Sequence, residues 1–210
     1  METLHLDIIN LVFGADGLPT VDEFTVPLAA LAASLLIFSN VKNVALSCPA
    51  FEVDAKDDDF RALTHSWKGL QKFMLHHSYK AGDAGRIVPT AAVLEIFHDN
   101  CPDLRELTLP YLDLNVNIPT LPVDPSSRDV SPHKLAHLDI DRNVQIHDED
   151  MDERNVDMWA RHIHSLFPML EVKEPESSDS REEVIQPTRN WRKVLERIRN
   201  ITKPLNEEAS

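Results

Sequence analysis

The densest set of potential ligand atoms is His147-Asp-Glu-Asp-Met-Asp-Glu153, which supplies the hard oxygen donors a divalent cation takes. It lacks the alternating acids around a glycine that build a calcium loop, so it reads as a solvated acidic loop. His162 and His164 sit two residues apart on an expected helix. That separation turns them about 200° from each other, so they do not face one metal, and they read as surface or partly buried histidines. His76 and His77 follow a strand and fall on opposite sides of it. Cys101 has His98 three residues before it, and a histidine base is one requirement of a nucleophilic thiol. The other is an activating environment. Cys101-Pro102 marks a unit boundary and reads as a small buried residue at a helix end; Cys48-Pro49 has the same context. Gly82-Asp-Ala-Gly85 lacks the length and the lysine of a phosphate cradle. No Gly-x-Ser-x-Gly and no His-Glu-x-x-His occurs. The expectation is a chain without catalytic residue, metal or cofactor.

The elements beneath these residues repeat. Leu104-Arg-Glu-Leu107-Thr-Leu109 has the spacing apolar-x-x-apolar-x-apolar. Val41-Lys-Asn-Val44-Ala-Leu46, Leu70-Gln-Lys-Phe73-Met-Leu75 and Leu135-Ala-His-Leu138-Asp-Ile140 share it, and the four copies begin 29, 34 and 31 positions apart. Such a unit, recurring every ~20–35 residues, is the pattern of a leucine-rich-repeat solenoid. The expected fold class is therefore α/β, with short parallel strands on a concave face and helices on the convex face. Leu4-His-Leu6 reads as an incomplete first strand, and Pro168-Met-Leu170-Glu-Val172 as a degenerate last one.

Helix signals fall between the copies. Leu28 to Phe38 is apolar nearly all round, begins at Pro27 and should be sandwiched. Asp57-Asp58-Asp59 precedes Phe60, Leu63 and Trp67; acids suit a helix start. Pro89-Thr90 opens a helix through Phe97, and Asn155 opens one from Met158 to Leu166. Trp67, Trp159 and Trp191 stand at apolar helix positions and read as core. The interval from Leu109 to Leu135 holds five prolines and reads as an irregular connection. The organisation is then a repeat domain over 1–174, a polar linker over 175–189, a C-terminal capping helix over 190–202 and a disordered tail over 203–210.

Side chains alternate along a strand, so the residues between the leucines should line the open face in columns. One column is Asn43, Lys72, Glu106 and His137. The next is His5, Ala45, Met74, Thr108 and Asp139. A third is Asp7, Ser47, His76, Pro110 and Asp141. The centre of an expected protein-binding face is Lys72, Met74, His76, Glu106, Thr108, His137 and Asp139.

Composition narrows the partners. The 210 residues carry a net charge of −14, which disfavours nucleic acid and anionic membranes. No apolar run reaches ~18 residues, so no membrane span is expected. Two cysteines give no disulfide framework, and the expected compartment is cytoplasm or nucleus.

Two segments carry a resemblance. Asn100-Cys-Pro-Asp-Leu-Arg-Glu-Leu107 and Phe167-Pro-Met-Leu170 resemble the "CP-x-L-x-x-L" and "FP-x-L" units of fungal, basidiomycete-type F-box proteins with divergent leucine-rich repeats. The resemblance covers roughly residues 40–174. It implies a repeat region that holds a protein substrate for a ubiquitin ligase. In that family an N-terminal F-box docks on a Skp-type adaptor and a cullin. The chain shows no Leu-Pro-x-Glu-type F-box opening, so a fragment, a truncated product or a repeat-only relative is expected. The alternative is a structural repeat array that assembles with another chain and has no ligase role.

Overall fold

The computed structural model describes residues 2–7, 25–33, 35–48, 52–77, 88–114, 132–140, 151–172 and 189–202. Among them the chain is mixed α/β, with parallel strands in two sheets and five helices. The larger sheet has strands β1 (Glu2–Asp7), β3 (Val41–Cys48), β5 (Lys72–His77), β6 (Glu106–Leu109) and β7 (His137–Ile140), paired in chain order. The smaller pairs β2 (Thr25–Pro27) with β4 (Glu52–Asp54), Val26 opposite Val53. The helices are α1 (Leu28–Ala33), α2 (Asp57–Ser66), α3 (Ala92–Asn100), α4 (Glu153–Leu166) and α5 (Arg189–Thr202).

The strand register follows the apolar spacing. Val44, Phe73, Leu107 and Leu138 are successive partners across four strands, and all are buried. Leu46 and Leu75 pair one step on, as do Leu109 and Ile140. The period of two puts every one of these on the helix side. Three rings, Phe60 of α2, Phe73 of β5 and Phe97 of α3, meet there with centroids 5.3–6.2 Å apart. One core contains residues from α1 through α5, including Trp191, Val194 and Ile198.

The same local path leads into several strands. Trp67, Cys101 and Phe167 each end a helix with an N–H donated to the carbonyl four residues back. A two-residue turn follows, then a buried leucine: Leu70, Leu104 or Leu170. The next residue donates to the corresponding residue of the preceding strand. Gln71 N–H bonds the Lys42 carbonyl, Arg105 bonds Gln71, Ala136 bonds Arg105 and Glu171 bonds Ala136, at 2.6–2.9 Å. Residues 170–172 thus dock beside the start of β7, where the sequence pointed to a degenerate last unit.

A second series of bonds links the turns. Trp67 Nε1 donates to the Phe38 carbonyl (2.9 Å), Cys101 Sγ to the Trp67 carbonyl (3.7 Å) and His133 Nε2 to the Cys101 carbonyl (3.0 Å). The Trp67 and Cys101 carbonyls, at helix ends, already accept the N–H of Leu70 and Leu104, and the side chain of the following turn gives each a second hydrogen bond.

Helix starts are fixed locally. Lys56 N–H donates to Asp59 Oδ2 (2.8 Å), and the acidic run forms the first turn of α2, as its place at a helix start implies. Asp57 then accepts both the backbone N–H and the hydroxyl of Thr90 (2.7 Å each), tying the start of α2 to that of α3. The helix expected from Asn155 begins at Glu153, because Asp152 Oδ1 caps the Asn155 N–H (2.7 Å). The helix expected over Leu28 to Phe38 stops at Ala33, and Leu35 to Ile37 form turns. The chain must reverse there to enter β3. Ile37 is consequently 78% exposed instead of sandwiched. The acidic residues 147–150, the Gly82–Gly85 loop, most of the prolines after Leu109, linker residues 175–188 and the tail lie outside the described residues.

Candidate binding face

Every position expected at the centre of the open face is on one side of the larger sheet. Lys72, Met74, His76, Glu106, Thr108 and His137 are half-buried, and Asp139 is exposed. Their neighbours on the same strands, Phe73, Leu75, Leu107, Leu109, Leu138 and Ile140, are buried. The first column is realised as Asn43–Lys72–Glu106–His137 in adjacent register. The second is realised as His5–Ala45–Met74–Thr108–Asp139 in its backbone pairing. The third holds through Asp7, Ser47 and His76. It ends there, because β6 stops at Leu109 and Pro110 is buried; a proline has no N–H for the next ladder bond. Asp141 lies outside the described residues.

Directly opposed Lys72 and Glu106 form an ion pair, Nζ to Oε2 2.5 Å. Both side chains are more than a third exposed, so the pair contributes little to stability and remains open to exchange with a ligand. At the strand starts Lys134 Nζ bonds Asp103 Oδ1 (2.6 Å). That hydrogen bond, the Lys134 charge and the cations of Arg105 and Lys42 hold the Asp103 carboxyl below its usual range.

No family model, curated protein or solved structure matches this chain. The functional reading therefore rests on the residues and their arrangement.

The residues singled out for chemistry are spread through the fold. Cys48 and Cys101 are fully buried, and burial pushes their thiols up to about 11 and about 12. A thiol that stays protonated is a poor nucleophile. His98 bonds Asp99 through Nδ1 (2.8 Å) instead of addressing Cys101. Among the described residues no group of three or more His, Cys, Asp or Glu is placed to hold a metal ion. No helix of the described residues is long and apolar enough to cross a membrane.

The sequence reading did not anticipate a cluster of histidines between α3 and α4. His98 stacks on His133 with centroids 5.2 Å apart, and Phe167 meets both rings edge-on at 5.9 and 5.0 Å. Leu135 N–H donates to His133 Nδ1 (3.2 Å), so Nε2 carries the proton it gives to the Cys101 carbonyl. His133 is thereby locked neutral; burial, then the neighbouring His98, lower it to about 4. His162 is only 2% exposed and neither ring nitrogen has a hydrogen-bond partner; Glu95 Oε1 stands 3.5 Å from Nε2. Burial and His98 lower its pKa, and burial lowers that of His164. The signal for His162 was present: Trp159, His162, Ile163 and Leu166 share one helical face.

Proposed function

We propose that this chain is a leucine-rich-repeat solenoid that binds another protein on the open face of its larger sheet and performs no chemistry itself. The observation that carries the reading is the two-sidedness of the sheet. One face is apolar and buried, while the other presents registered polar side chains across four neighbouring strands. The recurring path from helix end through turn and leucine into strand supports the repeat assignment. The resemblance of Asn100–Leu107 and Phe167–Leu170 to fungal F-box proteins supports a role in holding a ubiquitin-ligase substrate. A Skp-type adaptor and a cullin are then the expected assembly, in cytoplasm or nucleus.

The test is affinity capture from fungal lysate with the wild-type chain beside Met74→Ala/Glu106→Ala. Proteins captured by the first and lost by the second support recognition through the open face. Adaptor and cullin among them support the ligase role. Equal capture by both refutes the assignment of the face.

A second reading is a structural array that assembles with another chain. The exposed side chains of Ile37 (78%) and Phe38 (44%) favour it. Light scattering after size exclusion separates the two, since a stable monomer argues against obligate self-assembly.

A further inference from the structure

The rim at the strand starts is charged opposite to the chain as a whole. Lys42, Gln71, Arg105, Ala136 and Glu171 occupy equivalent steps of the ladder that opens the strands. Lys68 and Lys134 lie in the turns just before, and Lys72 begins β5. Among the residues whose side chains are described, five basic ones, Lys42, Lys68, Lys72, Arg105 and Lys134, thus stand there against three acidic ones, Asp103, Glu106 and Glu171, and Glu2 begins the neighbouring strand β1. The whole chain has 35 acidic and 21 basic residues. Among the described residues Lys42, Lys68 and Arg105 form no ion pair within 4 Å, and Lys42 and Arg105 act on Asp103 only at longer range. Arg105 and Lys68 are exposed and Lys42 half-buried.

We propose that this rim docks an acidic, extended segment of a partner protein. The inference rests on the protein-binding reading of the open face and names the chemistry of what binds. Lys42 and Arg105 begin strands two apart in the sheet, so they stand about 10 Å from each other. An acidic segment in the extended polyproline II conformation has three residues per turn and advances about 3.1 Å per residue, so carboxylates at i and i+3 face the same way and reach both. Lys72, on the strand between them, and Lys134, one strand beyond Arg105, each hold one carboxylate already. At physiological salt the screening length is about 8 Å, so a short acidic segment at the rim is shielded from the more distant negative charge of the chain. A long polyanion such as nucleic acid extends beyond the rim and meets that charge.

The test is fluorescence anisotropy with labelled hexaglutamate, hexalysine and a single-stranded oligonucleotide, using the full chain at 0.1 M salt. Lys42→Glu/Arg105→Glu reverses the rim. Lys56→Glu/Arg154→Glu makes the same change in net charge at exposed positions elsewhere. Circular dichroism checks that all three chains of the comparison fold alike. Hexaglutamate is expected to bind the wild type with a Kd of about 0.1–1 mM. Reversing the rim should weaken it at least tenfold, and the control pair less than twofold. No binding, equal loss in both variants, or tighter binding of the oligonucleotide overturns the proposal. If lysate partners are lost in Met74→Ala/Glu106→Ala but kept by the rim variant, the open-face reading stands and the rim inference falls.

Discussion

Lowering the pH should weaken this fold in a window set by His133. In the folded chain its Nδ1 accepts from Leu135 and its Nε2 donates to Cys101, so there is no place for a second proton. Its pKa is near 4 when folded and about 6.5 when unfolded. The unfolded chain therefore binds the proton first. The stabilisation is complete above about pH 6.5, declines as pH falls, and is gone once pH passes below about 4. Full loss corresponds to about 3 kcal/mol, and the loss by pH 5 to about 2 kcal/mol. His162 and His164 shift in the same direction and steepen the slope. Glu95 beside His162, and Asp103 near His133, oppose it. The assay is urea unfolding at several values between pH 7.5 and 5, for wild type and His133→Gln. Glutamine can still donate to the Cys101 carbonyl but does not titrate. The wild type should lose about 2 kcal/mol more than the variant across this range. The absolute stability of the variant is immaterial, because only the slope is compared. Parallel curves would refute the neutral, doubly bonded His133.

Other perturbations test the packing directly. Leu107→Ala should cost about 2–5 kcal/mol, because Leu107 is 1% exposed and its loss leaves a cavity behind the sheet; an unchanged thermal melt would sink the register. His162→Leu should raise stability by about 1–2 kcal/mol at pH 7, since it replaces a buried ring with two unpartnered nitrogens by an apolar side chain; chemical denaturation reads the sign. Cys48 and Cys101 should resist a thiol reagent at pH 8 in the native chain and react fully in urea; rapid native labelling would contradict their burial.

The sheet was legible in the sequence because its determinants are periodic. Leu107 and Leu109 must face one way and Glu106 and Thr108 the other, so the spacing of the apolar residues alone aligns the columns Asn43–Lys72–Glu106–His137 and Ala45–Met74–Thr108–Asp139. The end of the third column was less legible: Pro110 fits the alternation but lacks the N–H to continue the strand. The bonds between turns were invisible for a different reason. Trp67, Cys101 and His133 have nothing in common chemically except a hydrogen to give, so no pattern of residue types marks the position. The histidine cluster likewise depends on His98 and His133, 35 positions apart, meeting across a turn.

The bonds between turns also make the array directional. Each turn lends its carbonyl to a side chain that comes later in the chain, from Phe38 to Trp67, Trp67 to Cys101, and Cys101 to His133. Removing units from the front takes the acceptor from a side chain packed in the core, such as the Trp67 indole N–H bonded to Phe38. Removing them from the back takes one of two donors from a turn carbonyl: the Cys101 carbonyl that loses His133 still accepts the Leu104 N–H. Shortening is therefore asymmetric in its consequences, costing a buried donor its partner at the front and a carbonyl only its second bond at the back.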